Sequence, residues 1–163
     1  MSTHPGLHLS EIARRLQWST PLAEYHLRIL ERGGWVTATQ VGQLRCYFPR
    51  ARPGQPAAAA GVVAAGQRDR LALVRHPVRM HIVALLARSP GGRNRDIAKA
   101  VGLSRPAASH HLARLLRGGV VERGPDGRYQ LARADELLPL LRSHPPPPDH
   151  VGRFQALWDD LLT

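Results

Sequence analysis

Lysine and cysteine are almost missing from this 163-residue chain: Lys99 is the only lysine and Cys46 the only cysteine. A single cysteine excludes an internal disulfide and points to a reducing compartment, so a cytoplasmic, nucleoid-associated location is expected. No apolar run reaches the roughly 18 residues that a bilayer span needs, and the first ten residues lack the apolar core of a signal peptide. No membrane partner is expected. Aromatics are few, at 5%, while a hydrophobic content of 43% is ordinary for a globular protein. Acidic side chains are scarce: 12 stand against 23 Lys plus Arg, a formal net charge of +11. GC-rich coding accounts for arginine in place of lysine but not for the basic excess. A small chain this basic attracts polyanions, nucleic acid before an anionic membrane surface. Signatures of catalysis are missing too. There is no phosphate-cradling Gly-rich loop ending in Lys-Ser/Thr and no nucleophile elbow. The chain is therefore expected not to be an enzyme, with no catalytic residue and no cofactor.

What is present is said twice. At an offset of 85 residues, Pro5-Gly6, Ile12-Ala13, Ser19, Pro21, Ala23, His26-Leu27, Leu30, Arg32-Gly33-Gly34, Val36 and Gly42 recur as Pro90-Gly91, Ile97-Ala98, Ser104, Pro106, Ala108, His111-Leu112, Leu115, Arg117-Gly118-Gly119, Val121 and Gly127. That period is too long for a solenoid unit and means two copies of one small domain. Each copy reads as helix, tight turn, second helix, Gly-Gly stop and β-hairpin, the order of a DNA-reading winged helix. The expected fold is mainly α with small β-hairpins (α+β): two tandem winged helix-turn-helix domains plus a C-terminal helix. The boundaries read as winged helix 1 over 1–52, a linker over 53–66, winged helix 2 over 67–142, and a Pro-rich spacer with an amphipathic helix over 143–163.

The second copy is the more complete. Residues 67–76 read as a helix, and Pro77 opens the next, which is strongly apolar through Met80, Ile82, Val83, Leu85 and Leu86. A short helix over 94–101 sets Ile97, Ala98 and Val101 on one face. Ser104 caps the following helix, whose Ala108, Leu112 and Leu115 make one inward stripe. Gly118-Gly119 stops it, and Gly124-Pro125-Asp126-Gly127 turns a hairpin. In the first copy, Leu9, Ile12, Ala13 and Leu16 line one helical face from Leu7 onward. Ser19 caps a helix with the inner stripe Ala23, Leu27 and Leu30. In its returning strand Leu44, Cys46 and Phe48 share a face, and Arg45 and Tyr47 the other. The first copy has no equivalent of the two opening helices, so its apolar faces need a cover. Residues 56–67, the tail helix with its stripe of Val151, Phe154, Trp158 and Leu161, a partner subunit, or a segment lost by truncation are all open. Pro145–Pro148 reads as a stiff polyproline spacer.

The helix over 104–118 is the strongest candidate site. With the stripe inward, Arg105, Pro106, Ser109 and His110 face outward near its start, and Arg114 and Arg117 continue that face. A short cationic helix of this kind fits the major groove of B-DNA. Arg105 would reach a guanine edge or a phosphate, Ser109 and His110 bases or phosphates, and Arg114 and Arg117 phosphates. Arg123 and Arg128 flank the hairpin turn and would neutralise backbone charge. The equivalent face of the first copy is less suited to DNA. It offers Thr20, Pro21, Leu22, Glu24, Tyr25 and Arg28, with Arg45 in the wing; Thr20, Tyr25, Arg28 and Arg45 are its candidate contacts.

The stretches "HPVRMHIVALLARS", "RDIAKAVGLSRPAASHHLARLLRGGVVER" and "GRYQL" within 76–131 resemble the arsenic-repressor (ArsR-type) winged-helix family. The first copy, "HPGLHLSEIARRLQWSTPLAEYHLRILERGGWV" then "LRCYFPR", is similar to the winged-helix halves of tandem regulators common in archaea. The resemblance implies a dimeric, double-stranded DNA-binding transcriptional regulator, a repressor rather than an activator, with Ser109 and His110 where the family reads DNA. Pairing through residues 67–88, 134–142 or the tail helix is expected. Metal sensing is the family's best-known elaboration, but no metal is expected here. Cys46 stands alone, His110 and His111 point about 100° apart, and Pro5-Gly6 breaks the helix that a His4/His8 pair would need. Two rival functions remain: a protein-interaction module using winged helix 1 and the C-terminal helix, and a non-specific architectural or RNA-binding protein.

Overall fold

The computed structural model describes residues 4–55 and 62–162. Of the possible cover over 56–67, residues 56–61 lie outside the described residues. The chain divides into two compact units, 1–72 and 73–163.

The first unit runs β1 (Leu7–His8), α1 (Leu9–Leu16), α2 (Thr20–Arg32), β2 (Val36–Val41) and β3 (Leu44–Pro49), and α3 (Ala65–Val74) crosses the boundary between units. The His8 ring accepts a hydrogen bond from the Glu11 backbone N–H at 3.4 Å and caps α1. Ser19 Oγ accepts from the Leu22 N–H at 3.4 Å and caps α2, with Pro21 in the first turn where its missing N–H is harmless. The two helices are joined through Gln17, which sits in the left-handed region at φ 54°.

Several expectations for this unit are corrected. Leu7 does not begin a helix but pairs opposite Tyr47, so the hairpin gains a third strand in the order β1-β3-β2. Tyr47, on the strand face it shares with Arg45, belongs to the core with Leu7, Ile12, Leu27 and Val36. Cys46 and Phe48 point to the opposite face and are buried as well. A central strand with both faces covered buries successive residues, which a simple alternation cannot anticipate. Burial pushes the Tyr47 phenol above its ordinary range. Leu16 and Leu30, expected inside, are 48% and 36% exposed.

The second unit continues with α4 (Pro77–Arg88), α5 (Asn94–Val101), α6 (Arg105–Arg117), β4 (Val121–Arg123), β5 (Tyr129–Leu131), α7 (Ala134–Ser143), α8 (Pro148–Val151), a 3-10 turn (Gly152–Phe154) and α9 (Gln155–Leu162). Helix α4 is its hub. Met80, Ile82, Val83, Ala84 and Leu86 are all buried, because α5, α6, β5, α8 and α9 pack around the helix. Ala108, Leu112 and Leu115 form the inner stripe of α6 and are fully buried. Gly118 lies so close to the Leu73 side chain that a Cβ there would collide with it. Gly119, at φ 62°, carries the left-handed stop.

The tail differs from the expected spacer. Pro146 and Pro147 are buried, and Pro148 opens α8. The stripe of Val151, Phe154, Trp158 and Leu161 is buried, with α8 and α9 packed on α4 and the Phe154 ring stacked on His81 at 4.4 Å. Arg142 Nε donates to the Leu161 carbonyl at 3.1 Å, and the Arg75 guanidinium donates to the His144 and Pro145 carbonyls at 2.9 Å each. The apolar face of the tail is thus covered within its own unit.

Candidate nucleic-acid interface

Ser104 Oγ accepts from the Ala107 N–H at 3.4 Å and fixes the start of α6. From there Arg105, Pro106, Ser109, His110 and Arg117 are exposed, and Arg114 is half-buried. The wing is the antiparallel pair of β4 and β5, with Val121 opposite Leu131 and Arg123 opposite Tyr129. Between the start of α5, the outer face of α6 and the wing lies an open groove of about 660 Å³, lined by Arg93, Asn94, Arg95, Arg105, Ser109, Arg123, Asp126, Gly127 and Tyr129. Asn94 Nδ2 donates to Ser109 Oγ at 2.8 Å and ties α5 to α6 across its floor. Arg123 lies over the Tyr129 ring, 5.5 Å from the centroid, and its Nε donates to the Gly127 carbonyl at 3.4 Å. One acid, Asp126, faces four guanidinium side chains there, so the groove is strongly positive.

The two wing arginines differ. Arg128 is drawn back: Nε lies 3.1 Å from Asp126 Oδ2, and Nη1 donates to the Gly91 carbonyl at 3.2 Å. It shapes the turn, whereas Arg123 lines the groove. Of the expected residues, the structure brings Arg105, Ser109 and Arg123 together. It leaves Pro106, His110, Arg114, Arg117 and Arg128 outside the groove lining.

In the first unit the corresponding face is built differently. Thr20 and Tyr25 are exposed. Arg28 Nη2 lies 2.6 Å from Glu24 Oε1, and Arg45 Nη2 is bound by both Glu31 oxygens at 2.6 and 2.8 Å. Each candidate cation is therefore matched by a carboxylate of α2.

Residues 76–123 match the family model described as bacterial regulatory protein, arsR family. Residues 1–55 match a family of N-terminal HTH domains. The chain carries two helix-turn-helix domains in tandem, the second of the arsR family. No curated protein and no solved structure matches it. Such domains mark a DNA-binding regulator of transcription, and among the described residues no helix is long and apolar enough to cross a membrane.

In the arsR-family domain, sequence reasoning missed Arg93, Asn94 and Arg95. Their signal was available: three polar residues at the start of a helix that packs directly against α6. Only the fold brings that start to the wing. His111, recurring at the place of His26, faces inward in both domains. His26 lies on Trp18 and His111 on His76, with ring centroids 5.0 Å apart in each pair. Desolvation lowers the His111 pKa, and the nearby Arg79, His110 and Arg114 lower it further, so the surroundings favour the neutral ring.

Proposed function

We propose that the protein is a sequence-specific double-stranded-DNA-binding regulator, a repressor, that reads DNA with the arsR-family domain. The observation that carries this reading is the convergence of Arg93, Arg95, Arg105 and Arg123 with Ser109 on one open groove. Helix α6 enters the major groove. Arg105 meets a guanine edge or phosphate, and Ser109 and His110 meet bases or phosphates. Arg114 and Arg117 contact phosphates further along. Arg123 reaches the backbone beside the wing, Arg93 and Arg95 a phosphate before α5, and Pro106 lets the backbone approach closely. Arg128 keeps the wing turn in shape. Because Arg28 and Arg45 already face carboxylates, the reading gives Thr20, Tyr25, Arg28 and Arg45 no primary DNA contact.

Repression rather than activation rests on the resemblance to arsenic repressors. Functional boundaries are proposed at 1–52, 53–66, 67–142 and 143–163. A homodimer is proposed, and its two-fold symmetry calls for an inverted-repeat site with half-sites one helical turn, or a multiple, apart. Selection of bound sites from a random duplex pool at near-physiological salt tests this. A palindromic consensus is the expected result. A pool with no enrichment would overturn sequence-specific reading and favour an architectural protein.

A further inference from the structure

Among the described residues, the large apolar side chains left exposed all fall between Leu16 and Trp35. Three of them sit on the outward face of α2: Leu22, Tyr25 and Ile29, at 43%, 61% and 46% exposure. With 3.6 residues per turn, Tyr25 points directly away from the inner stripe of Ala23 and Leu27. Leu22 and Ile29 lie on one flank of Tyr25, and Glu24 and Arg28 on the other. Apolar side chains gathered on one face mark a contact surface. The Glu24–Arg28 pair, at 2.6 Å, leaves that flank with little net field for phosphate.

We propose that this face docks on the same face of a second copy of the chain, α2 against α2, antiparallel, about a two-fold axis passing near His26. The charge pattern selects both occupant and direction. A two-fold axis perpendicular to the helices reverses position along the helix and keeps each flank on its own side. With the axis near His26, Glu24 lies opposite the partner's Arg28, and Arg28 opposite the partner's Glu24. On the other flank Leu22 meets the partner's Ile29, and the two Tyr25 rings lie beside the axis. A parallel pair, about an axis along the helices, would swap the flanks and set the charged Glu24–Arg28 flank against the partner's apolar Leu22–Ile29 flank, a mismatch on both sides. Self-complementarity of a single patch is what an isologous dimer requires. The rival surfaces are occupied: the apolar residues of α4 and the tail stripe are buried in their own unit. The inference does not depend on DNA binding by the second domain.

The full chain and two single variants, Glu24→Arg and Arg28→Glu, test it by analytical ultracentrifugation at micromolar concentration. Each variant makes the flank one sign, positive in the first and negative in the second. The natural chain is expected at twice its chain mass, and each variant alone at chain mass, its self-association weakened at least about tenfold. An equimolar mixture of the two variants is expected to recover the paired mass, although neither carries an internal Glu–Arg pair on α2. Far-UV circular dichroism matching the natural chain verifies folding. As a second probe, Tyr25→Cys should give a disulfide-linked pair on mild oxidation, since Cys46 is buried. A monomeric natural chain, single variants that stay paired, a mixture that stays monomeric, or no cross-link at Tyr25→Cys each overturns the proposal. So does loss of DNA affinity in the single variants with the mass unchanged, which would return the face to DNA.

Discussion

Helices α6 and α2 descend from one pattern and present opposite chemistry. Both begin at a capping serine, carry proline in the first turn and stop at a glycine pair. Where α6 has Arg105, Ser109, His110 and Arg114, α2 has Thr20, Glu24, Tyr25 and Ile29 at the 85-residue offset. One face is polar and cationic; the other is apolar with its charges matched. The buried sides diverge as well. Leu115 is fully buried beneath α4, and its counterpart Leu30 is 36% exposed. The difference teaches that the helix-turn-helix frame sets which positions face outward, while the helices packed behind it decide how well the inner stripe is closed.

The comparison can be broken most forcefully at the inner stripe. Leu115→Ala should cost about 2–5 kcal/mol in urea unfolding, because a fully enclosed leucine leaves a cavity. Leu30→Ala should cost less than about 1 kcal/mol, because solvent already reaches that side chain. Equal costs would mean that Leu30 is covered in solution.

A second contrast is in pH. Burial lowers the pKa of His81, His111 and His144, all in the second unit. In the unfolded chain these rings take up protons near pH 6.5; in the folded unit they resist doing so. Stability is therefore full above the unfolded value and falls as pH drops below it. Melting followed by Trp158 fluorescence in a Trp18→Phe/Trp35→Phe background should show a lower midpoint at about pH 5 than at neutrality. His111→Gln should flatten that dependence, and a midpoint that rises on acidification would contradict the burial argument.

The smallest expected effect is in the turn. Gly102 occupies the left-handed region at φ 70°, and Gln17 holds the equivalent place at φ 54° with a side chain. Gln17→Gly should gain a few tenths to about 1 kcal/mol by relieving that conformation. A loss would show that the Gln17 side chain makes a compensating contact.

Much of this was legible because the repeat and the helical periodicity are local signals. The cap at Ser104, the inner stripe of Ala108, Leu112 and Leu115, and the short helix at Asn94–Val101 follow from residue spacing alone. What was not legible depends on distant segments. Leu7 forms a strand only because Tyr47 is there to pair with it. The second wing is shorter: Gly92 bridges Tyr129 as Leu7 pairs Tyr47, so the fixed offset lapses beyond the turn. Alternation sets Tyr47 on the face opposite Cys46 and Phe48, yet all three are buried, because alternation assumes one solvated face. Arg93 and Arg95 drew no attention in the sequence, because only the fold sets the start of α5 beside the wing. Arg128 looked equivalent to Arg123, yet Asp126 and the Gly91 carbonyl hold it back.

The central claim is that the groove of the second domain, and not the matching face of the first, meets DNA. Affinity for the selected duplex, measured across a salt series for Arg105→Ala, Arg123→Ala, Arg28→Ala and Arg45→Ala, tests it most directly. The first two should each lose about 1–3 kcal/mol of binding, and where the lost contact is a phosphate the slope of log K against log salt should shrink by about one. The last two should leave intrinsic affinity and slope within error, read with the dimer saturated. The reverse pattern, with Arg28 and Arg45 dominant and Arg105 and Arg123 silent, would contradict the account.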